Sequence, residues 1–302
     1  MIRSVLAAML LLFVTIAGAS AQCVSYTQLT NGTNASASDV MSNFNTIAGC
    51  VRDKLTVGRT YYVRTDGSDS NTGLADSPSG AFLTIAKAMS VAGSVDCAAQ
   101  QLTIQIDAGT WTTPILLPRV LASLAPILQG VGSTTIISTT SANAISANGA
   151  TPWMINNLKL VTTGSGDGIL TQNGSVVTLS GIEWGAIANY GMFAASLSAI
   201  NVTGSNTISG NAQYFAIAND SSISFLGGTV FTLTGTPAFS SAFVAANRLS
   251  LILASNTFSG SASAGTVRYF VGLNSVIDTS GAGAAFFPGG TPGTLVTGGQ
   301  YN

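Results

Sequence analysis

Any chemistry in this chain must come from few groups. Its 302 residues include no histidine, and charged side chains make up 7% of them. Without an imidazole base, Ser-His nucleophilic catalysis is excluded. Beyond Leu102 the acids are Asp107, Asp167, Glu183, Asp220 and Asp278. Glycoside hydrolysis needs two carboxylates within several ångströms of each other, and no D-D, D-x-D or E-x-D pair occurs among these acids. Asp167 and Glu183 are spaced to lie on neighbouring turns of a repeating fold, where they could approach each other. The alternative is isolated turn and surface acids, and the reading taken is no catalytic residue and no cofactor site. Among the bases are Lys159, Arg248 and Arg268. The two arginines could stack on successive turns and meet an anionic sugar, or they could serve as interior and capping residues.

Asp66, Asp69 and Asn71 supply the hard oxygens that Ca²⁺ prefers. Their spacing is not that of an EF-hand, and turn formation accounts for all three. Ca²⁺ therefore remains a weak alternative to no metal at all. Trp153, Trp184, Tyr190, Tyr214 and Tyr269 could form a sugar-stacking strip, although such side chains also fill interiors. The glycan-binding candidates are Trp153, Trp184, Tyr190, Tyr214, Arg248 and Arg268. Three cysteines, Cys23, Cys50 and Cys97, allow one bridge and leave one thiol over. Proximity favours Cys23 with Cys50, with Cys50–Cys97 the other choice. There is no C-x-x-C, so zinc is not expected.

Composition narrows the partners. The formal net charge is −1 and 46% of residues are hydrophobic. No basic patch is available to neutralise phosphates, so nucleic acid is excluded. The chain is also too apolar and too weakly charged for a disordered protein. Solubility falls to Ser, Thr, Asn and Gly. The N-terminus has an early Arg3, an apolar run from Val5 to Ile16 and then Ala19-Ser20-Ala21. This is the pattern of a secretory signal peptide over 1–21, which points to a secreted or cell-surface protein. The run is short for a membrane span, and no later stretch is long and apolar enough to replace it.

The elements that must position these groups follow in order. A first unit, 22–58, carries a helix from Asp39 to Ala48 with a stripe of Val40, Met41, Phe44 and Ile47. So short a helix does not hold itself in water, so the stripe needs a partner and is read as an attachment and self-association surface. Tyr61-Tyr62-Val63 reads as a strand, Asp66–Gly73 and Ser77–Gly80 as turns, and Phe82–Val91 as a short helix with Phe82, Ile85, Ala86 and Met89 on its apolar face. From Leu102 to Asp278, short apolar runs recur between Gly, Ser, Asn and Thr. They include Leu158–Val161, Gly181–Trp184, Ile200–Val202, Ser224–Leu226, Leu249–Ile252 and Val276–Asp278. The interval, roughly 20 to 26 residues, marks a stacked solenoid of about seven coils. The asparagines Asn156, Asn157, Asn173, Asn201, Asn206, Asn211, Asn256 and Asn274 suit its corners. The chain is divided into 59–101 as opening and cap, 102–285 as solenoid and 286–302 as tail.

Tyr61–Val63 with DGSDSNTG and AFLTIAKAM resembles the opening of pectate-lyase-like, right-handed parallel β-helix proteins, and LTIQIDAGTW resembles their first coil. The segment Leu29–Ile47 resembles a short module of phage and prophage tail-fibre proteins, and Phe286–Asn302 is similar to their closing segment. The resemblance implies an all-β, right-handed parallel β-helix with a short N-terminal capping helix and an N-terminal helical attachment segment. It implies a non-catalytic tail-fibre or tailspike module on a virion or cell surface, binding cell-surface polysaccharide as a homotrimer. The alternatives are a secreted polysaccharide lyase or hydrolase of that superfamily, whose members use acidic clusters, Ca²⁺ and an Arg or Lys base, and a structural or adhesin-like surface protein.

Overall fold

A computed structural model describes residues 36–50 and 52–302, with the side chains of all of these except 46–50. The chain divides into two compact units, the first ending at Asp53 and the second running from Lys54 to Asn302. The signal peptide, the Leu29 to Asn34 segment and Cys23 lie outside the described residues. In the first unit, helix α1 (Ala37–Cys50) is two residues longer at each end than its apolar spacing predicts. Ser36 caps it, its hydroxyl oxygen accepting from the Asp39 N–H at 3.1 Å. Val40 is partly covered, whereas Met41 and Phe44 are 56% and 62% exposed. Among the described residues no helix is long and apolar enough to cross a membrane.

The second unit is a parallel β-solenoid of about nine turns. Each complete coil gives one strand to each of three sheets. One coil, for example, supplies Val176–Ser180 to the ten-stranded sheet I, Glu183–Trp184 to the seven-stranded sheet II and Tyr190–Ala195 to the eight-stranded sheet III. Every pairing within these sheets is parallel, and residues one coil apart meet in register. In sheet I, Tyr61, Ile104, Leu128, Ile155, Leu179, Val202 and Phe225 follow one another up a single inward row. A second inward row runs Trp153, Val177, Ile200, Ile223, Ile252, Ile277 and Tyr301. Sheet II adds Trp111, Ile137, Leu160, Trp184, Ile208 and Leu233. Alternation on each strand sends every second residue inward, and stacking makes those residues continuous along the axis.

The count exceeds the seven coils expected because strands continue at both ends. Arg59–Val63 opens sheet I, while Thr294–Leu295 and Gln300–Tyr301 extend sheets III and I into the segment expected to be a tail. The apolar runs seen in the sequence belong to two sheets. Leu158–Val161 and Gly181–Trp184 fall largely in sheet II, and those from Ile200 onward in sheet I. In the later coils phenylalanine replaces Ile and Leu. Phe215 touches Phe225, Phe231, Phe239 and Phe243, and buried Phe287 packs on Phe243 and Phe258 near the end of the stack.

The corners need acceptors and donors that the ladders do not supply. Between sheets III and I, serine hydroxyls fill this role. Ala150, Ser198, Ser221 and Ser250 N–H donate to the hydroxyls of Ser175, Ser221, Ser250 and Ser275, each one coil further on. Of the asparagines expected at left-handed corners, Asn157, Asn173 and Asn274 have positive φ. Buried Asn206 instead holds backbone, accepting from Ile182 N–H and donating to Thr203 O.

The lid covers the first coil. Helix α2 (Ile85–Ser94) starts later than its apolar spacing predicts because Thr84 is its N-cap, accepting from the Lys87 N–H at 3.1 Å. Its inward face is Ile85, Ala88, Met89 and Ala92, and Ala86 is exposed. Phe82 lies just before the helix, buried and stacked on Tyr61 at 5.8 Å. Gly73, at φ +75°, lies over the Phe82 ring where a Cβ would collide. One carboxylate ties turn to helix: Asp69 accepts from Leu83 N–H at 3.0 Å, Thr84 N–H at 2.9 Å and the Thr84 hydroxyl at 2.7 Å. Asp69→Ala should therefore cost about 2 kcal/mol, read as a lowered urea midpoint in far-UV circular dichroism. An unchanged midpoint would show that the lid is held by other contacts.

Candidate functional site

Two of the predicted aromatic residues come together on the outer surface of sheet III. Tyr190 and Tyr214 are cross-strand partners with ring centroids 5.7 Å apart, and Tyr190 meets Phe193 edge-on at 5.3 Å. All three are half-buried, so they form a supported ledge with exposed ring surface. Beside them the amides are ordered by the ladder. Gln213 N–H donates to Asn189 O at 2.7 Å, and Gln213 Nε2 donates to Asn189 Oδ1 at 3.2 Å. Gln213 also lines a cleft of about 480 Å³ with Asn211 and Ser240. Phe193, Asn189 and Gln213 were not among the residues expected from the sequence. The signal for two of them was present, because Asn189-Tyr190 and Gln213-Tyr214 repeat an amide–tyrosine pair one coil apart.

Asp167 lies beneath this ledge, in the turn from sheet II to sheet III, and is 6% exposed. Its carboxylate accepts from the Tyr190 N–H at 3.3 Å, and its own N–H donates to Asn143 Oδ1 at 2.8 Å. Burial pushes its pKa up to about 6, with the Tyr190 bond opposing the rise. Burial also raises the Tyr190 phenol, helped by the charges of Asp167 and Tyr214. Glu183 is on the outer face of sheet II. Burial raises its pKa, but bonds from Lys159 at 2.7 Å and the Ser209 hydroxyl at 2.6 Å outweigh this and leave it lowered. The structure gives the two carboxyls separate partners.

The remaining candidates are dispersed. Trp153 and Trp184 are each 1% exposed and belong to the core. Their indole N–H groups donate to Pro118 O and Gly191 O. They cannot stack on a sugar at the surface, and Tyr269 is likewise buried, stacked on Tyr301, which corrects the aromatic strip to Tyr190 and Tyr214. Arg248 and Arg268 do not stack on successive coils, because a coil is longer than their separation. Arg248 follows the sheet III strand Phe239–Asn247, exposed and at φ +57°, whereas Arg268 precedes the strand Tyr269–Val271.

The oxygens considered for Ca²⁺ are engaged in the lid. Asp69 holds Thr84, Asn71 Nδ2 donates to Pro78 O and Ala81 O, and Asp66 pairs with Arg64 at 2.8 Å. Arg64 also reaches Asp76 at 2.9 Å and Asp107 at 3.4 Å, a cluster that ties lid to first coil. Donating to the Asp66 and Asp76 carboxylates raises the Arg64 guanidinium pKa, and Arg64 lowers that of Asp66. Among the described residues no group of three or more His, Cys, Asp or Glu is arranged to hold a metal. Cys97 is a buried free thiol, its pKa raised by burial, so the Cys50–Cys97 bridge is absent. The Cys23–Cys50 pairing lies outside the described residues.

No protein-family model matches the chain, and neither a curated protein nor a solved structure matches it.

The buried carboxyl generates a pH prediction. With its folded pKa raised to about 6, above an ordinary unfolded value, Asp167 binds its proton more tightly when folded. Stability is therefore lost as pH rises from about 4 to about 6, by up to roughly 3 kcal/mol. Asp167→Asn keeps an acceptor for Tyr190 N–H and removes this dependence. The variant should equal wild type near pH 4 and exceed it at pH 7 in urea denaturation. A parallel offset at all pH values would show that the titrating group is another.

Proposed function

We propose that this chain is a non-catalytic, extracellular or virion-surface β-solenoid that binds cell-surface glycan, in the manner of the tail-fibre and tailspike modules that its end segments resemble. The observation that carries the reading is the ledge of Tyr190, Phe193 and Tyr214 beside Asn189 and Gln213. Aromatic faces suit the apolar faces of pyranose rings, and converging amides suit their hydroxyls. The flank is nearly free of formal charge, which favours a hydroxyl-rich ligand over a polyanion. Asp167 and Glu183, held by separate partners, support binding without cleavage. Export by residues 1–21 belongs to the same reading.

The test is an array of bacterial surface polysaccharides, followed by titration of the best ligand. Tyr190→Ala and Tyr214→Ala should each weaken binding about tenfold, the equivalent of about 1.4 kcal/mol, with unchanged circular dichroism. Unaltered affinity in the double variant would reject the ledge as the site. Incubation with acidic polysaccharides and Ca²⁺ should release no unsaturated uronides, and ultraviolet absorbance from such products would favour the lyase alternative.

Self-association belongs to the same proposal, since Met41 and Phe44 leave apolar surface in water. Replacing Phe44 and Ile47 together by Asp should lower the molar mass seen by light scattering while the β signal persists. A wild type that is already monomeric would remove this part.

A further inference from the structure

The late coils contain a cation with no counter-charge. Arg268 lines a cleft of about 440 Å³ with Gly260, Phe286, Gly289 and Gly290. Its Nε is buried and has no hydrogen-bond partner. Arg64 and Lys159 both have carboxylates within 3.4 Å, but among the described residues none pairs with Arg268. An unpaired buried donor of this kind carries a desolvation cost. In the same lining, the N–H groups of Gly289 and Gly290 donate to no described group. Both glycines press on backbone, where a Cβ would meet Thr266 O or Ala264 O, and the rest of the lining includes the rings of Phe258, Phe286 and Phe287.

We propose that this cleft is an oxyanion site, with the Arg268 guanidinium as the charged fork and the Gly289–Gly290 main chain as its second wall. A carboxylate or phosphate group matches a planar, bidentate donor, and successive backbone N–H groups suit such anions. The cleft is separate from the Tyr190–Tyr214 ledge, and its acceptance of an oxyanion does not depend on the glycan reading. That the oxyanion is a substituent on a saccharide does rest on that reading.

The experiment compares inorganic phosphate, glucuronate and glucose as ligands of the full chain, by calorimetry and by shift of the unfolding midpoint. Phosphate or glucuronate should bind wild type and the Tyr190→Ala/Tyr214→Ala variant alike, and glucose should not bind this cleft. Arg268→Gln should weaken anion binding at least tenfold, with Arg268→Lys intermediate. Phosphate alone binding would assign a phosphate ester, and glucuronate alone a carboxylate. No binding of either anion, or equal binding by Arg268→Gln, would overturn the site. If Arg268→Gln does not fold, phenylglyoxal modification of wild-type Arg268, located by peptide mass spectrometry, decides the matter. Phosphate should slow that modification several-fold, and an unchanged rate would count against the proposal. Loss of glycan binding in the ledge variants with phosphate binding retained would leave this site standing and remove only its link to a saccharide.

Discussion

The structure depends on the in-register parallel ladder between successive coils. A single coil has too little inward surface to exclude water, so its apolar side chains are buried only by the coils above and below. Register makes this work: Ile200 lies over Val177 and under Ile223, and the row continues without a break through Ile252 and Ile277. A slip of one residue would send that row to the surface and bring Asn201 or Ser224 inside. The serine column at the sheet III to sheet I corner serves the same constraint, supplying acceptors for the N–H groups that leave the ladder as the chain turns.

A stack needs closed ends, and each end here is built differently. The first coil is covered by a lid whose helix is positioned by the Asp69 carboxylate and whose aromatic plug, Phe82, rests under Gly73. Toward the last coils, aromatic rings fill the interior, ending in Phe287 and the stacked pair Tyr269 and Tyr301 at 4.0 Å. With stability carried by inward rows and caps, the outward positions are free to vary. Much of that exterior is hydroxyl and amide with scattered exposed leucines such as Leu197 and Leu249, so the aromatic ledge on sheet III and the unpaired guanidinium near the C-terminus stand out chemically.

Much of the fold could be read from the sequence because it rests on local patterns. The DGSDSNTG turn, the strand before it and the alternating runs each have a physical signature, and together they specify a parallel solenoid. The site was less legible. A tryptophan in a short strand looks the same whether it points in or out, so Trp153 and Trp184 could not be told from surface residues. Coil lengths vary with corner insertions, so spacing alone misplaced Arg268 relative to Arg248, and counting the lid helix from Phe82 rather than from its cap at Thr84 put Ala86 rather than Ala88 on its buried face. Asn189 and Gln213 each adjoin a tyrosine in the sequence, but it is the ladder that brings the two amide–tyrosine pairs into contact one coil apart.

As proposed above, the ledge of Tyr190 and Tyr214 on one flank of the solenoid holds a glycan without cleaving it. The most direct measurement is a crystal structure of the full chain soaked with an oligosaccharide prepared from a surface polysaccharide that it binds. An intact saccharide is expected, with a ring packed on Tyr190 and Tyr214 and hydroxyls bonded to Asn189 or Gln213. A saccharide bound only on another face, or density for a cleaved product beside Asp167 or Glu183, would contradict it.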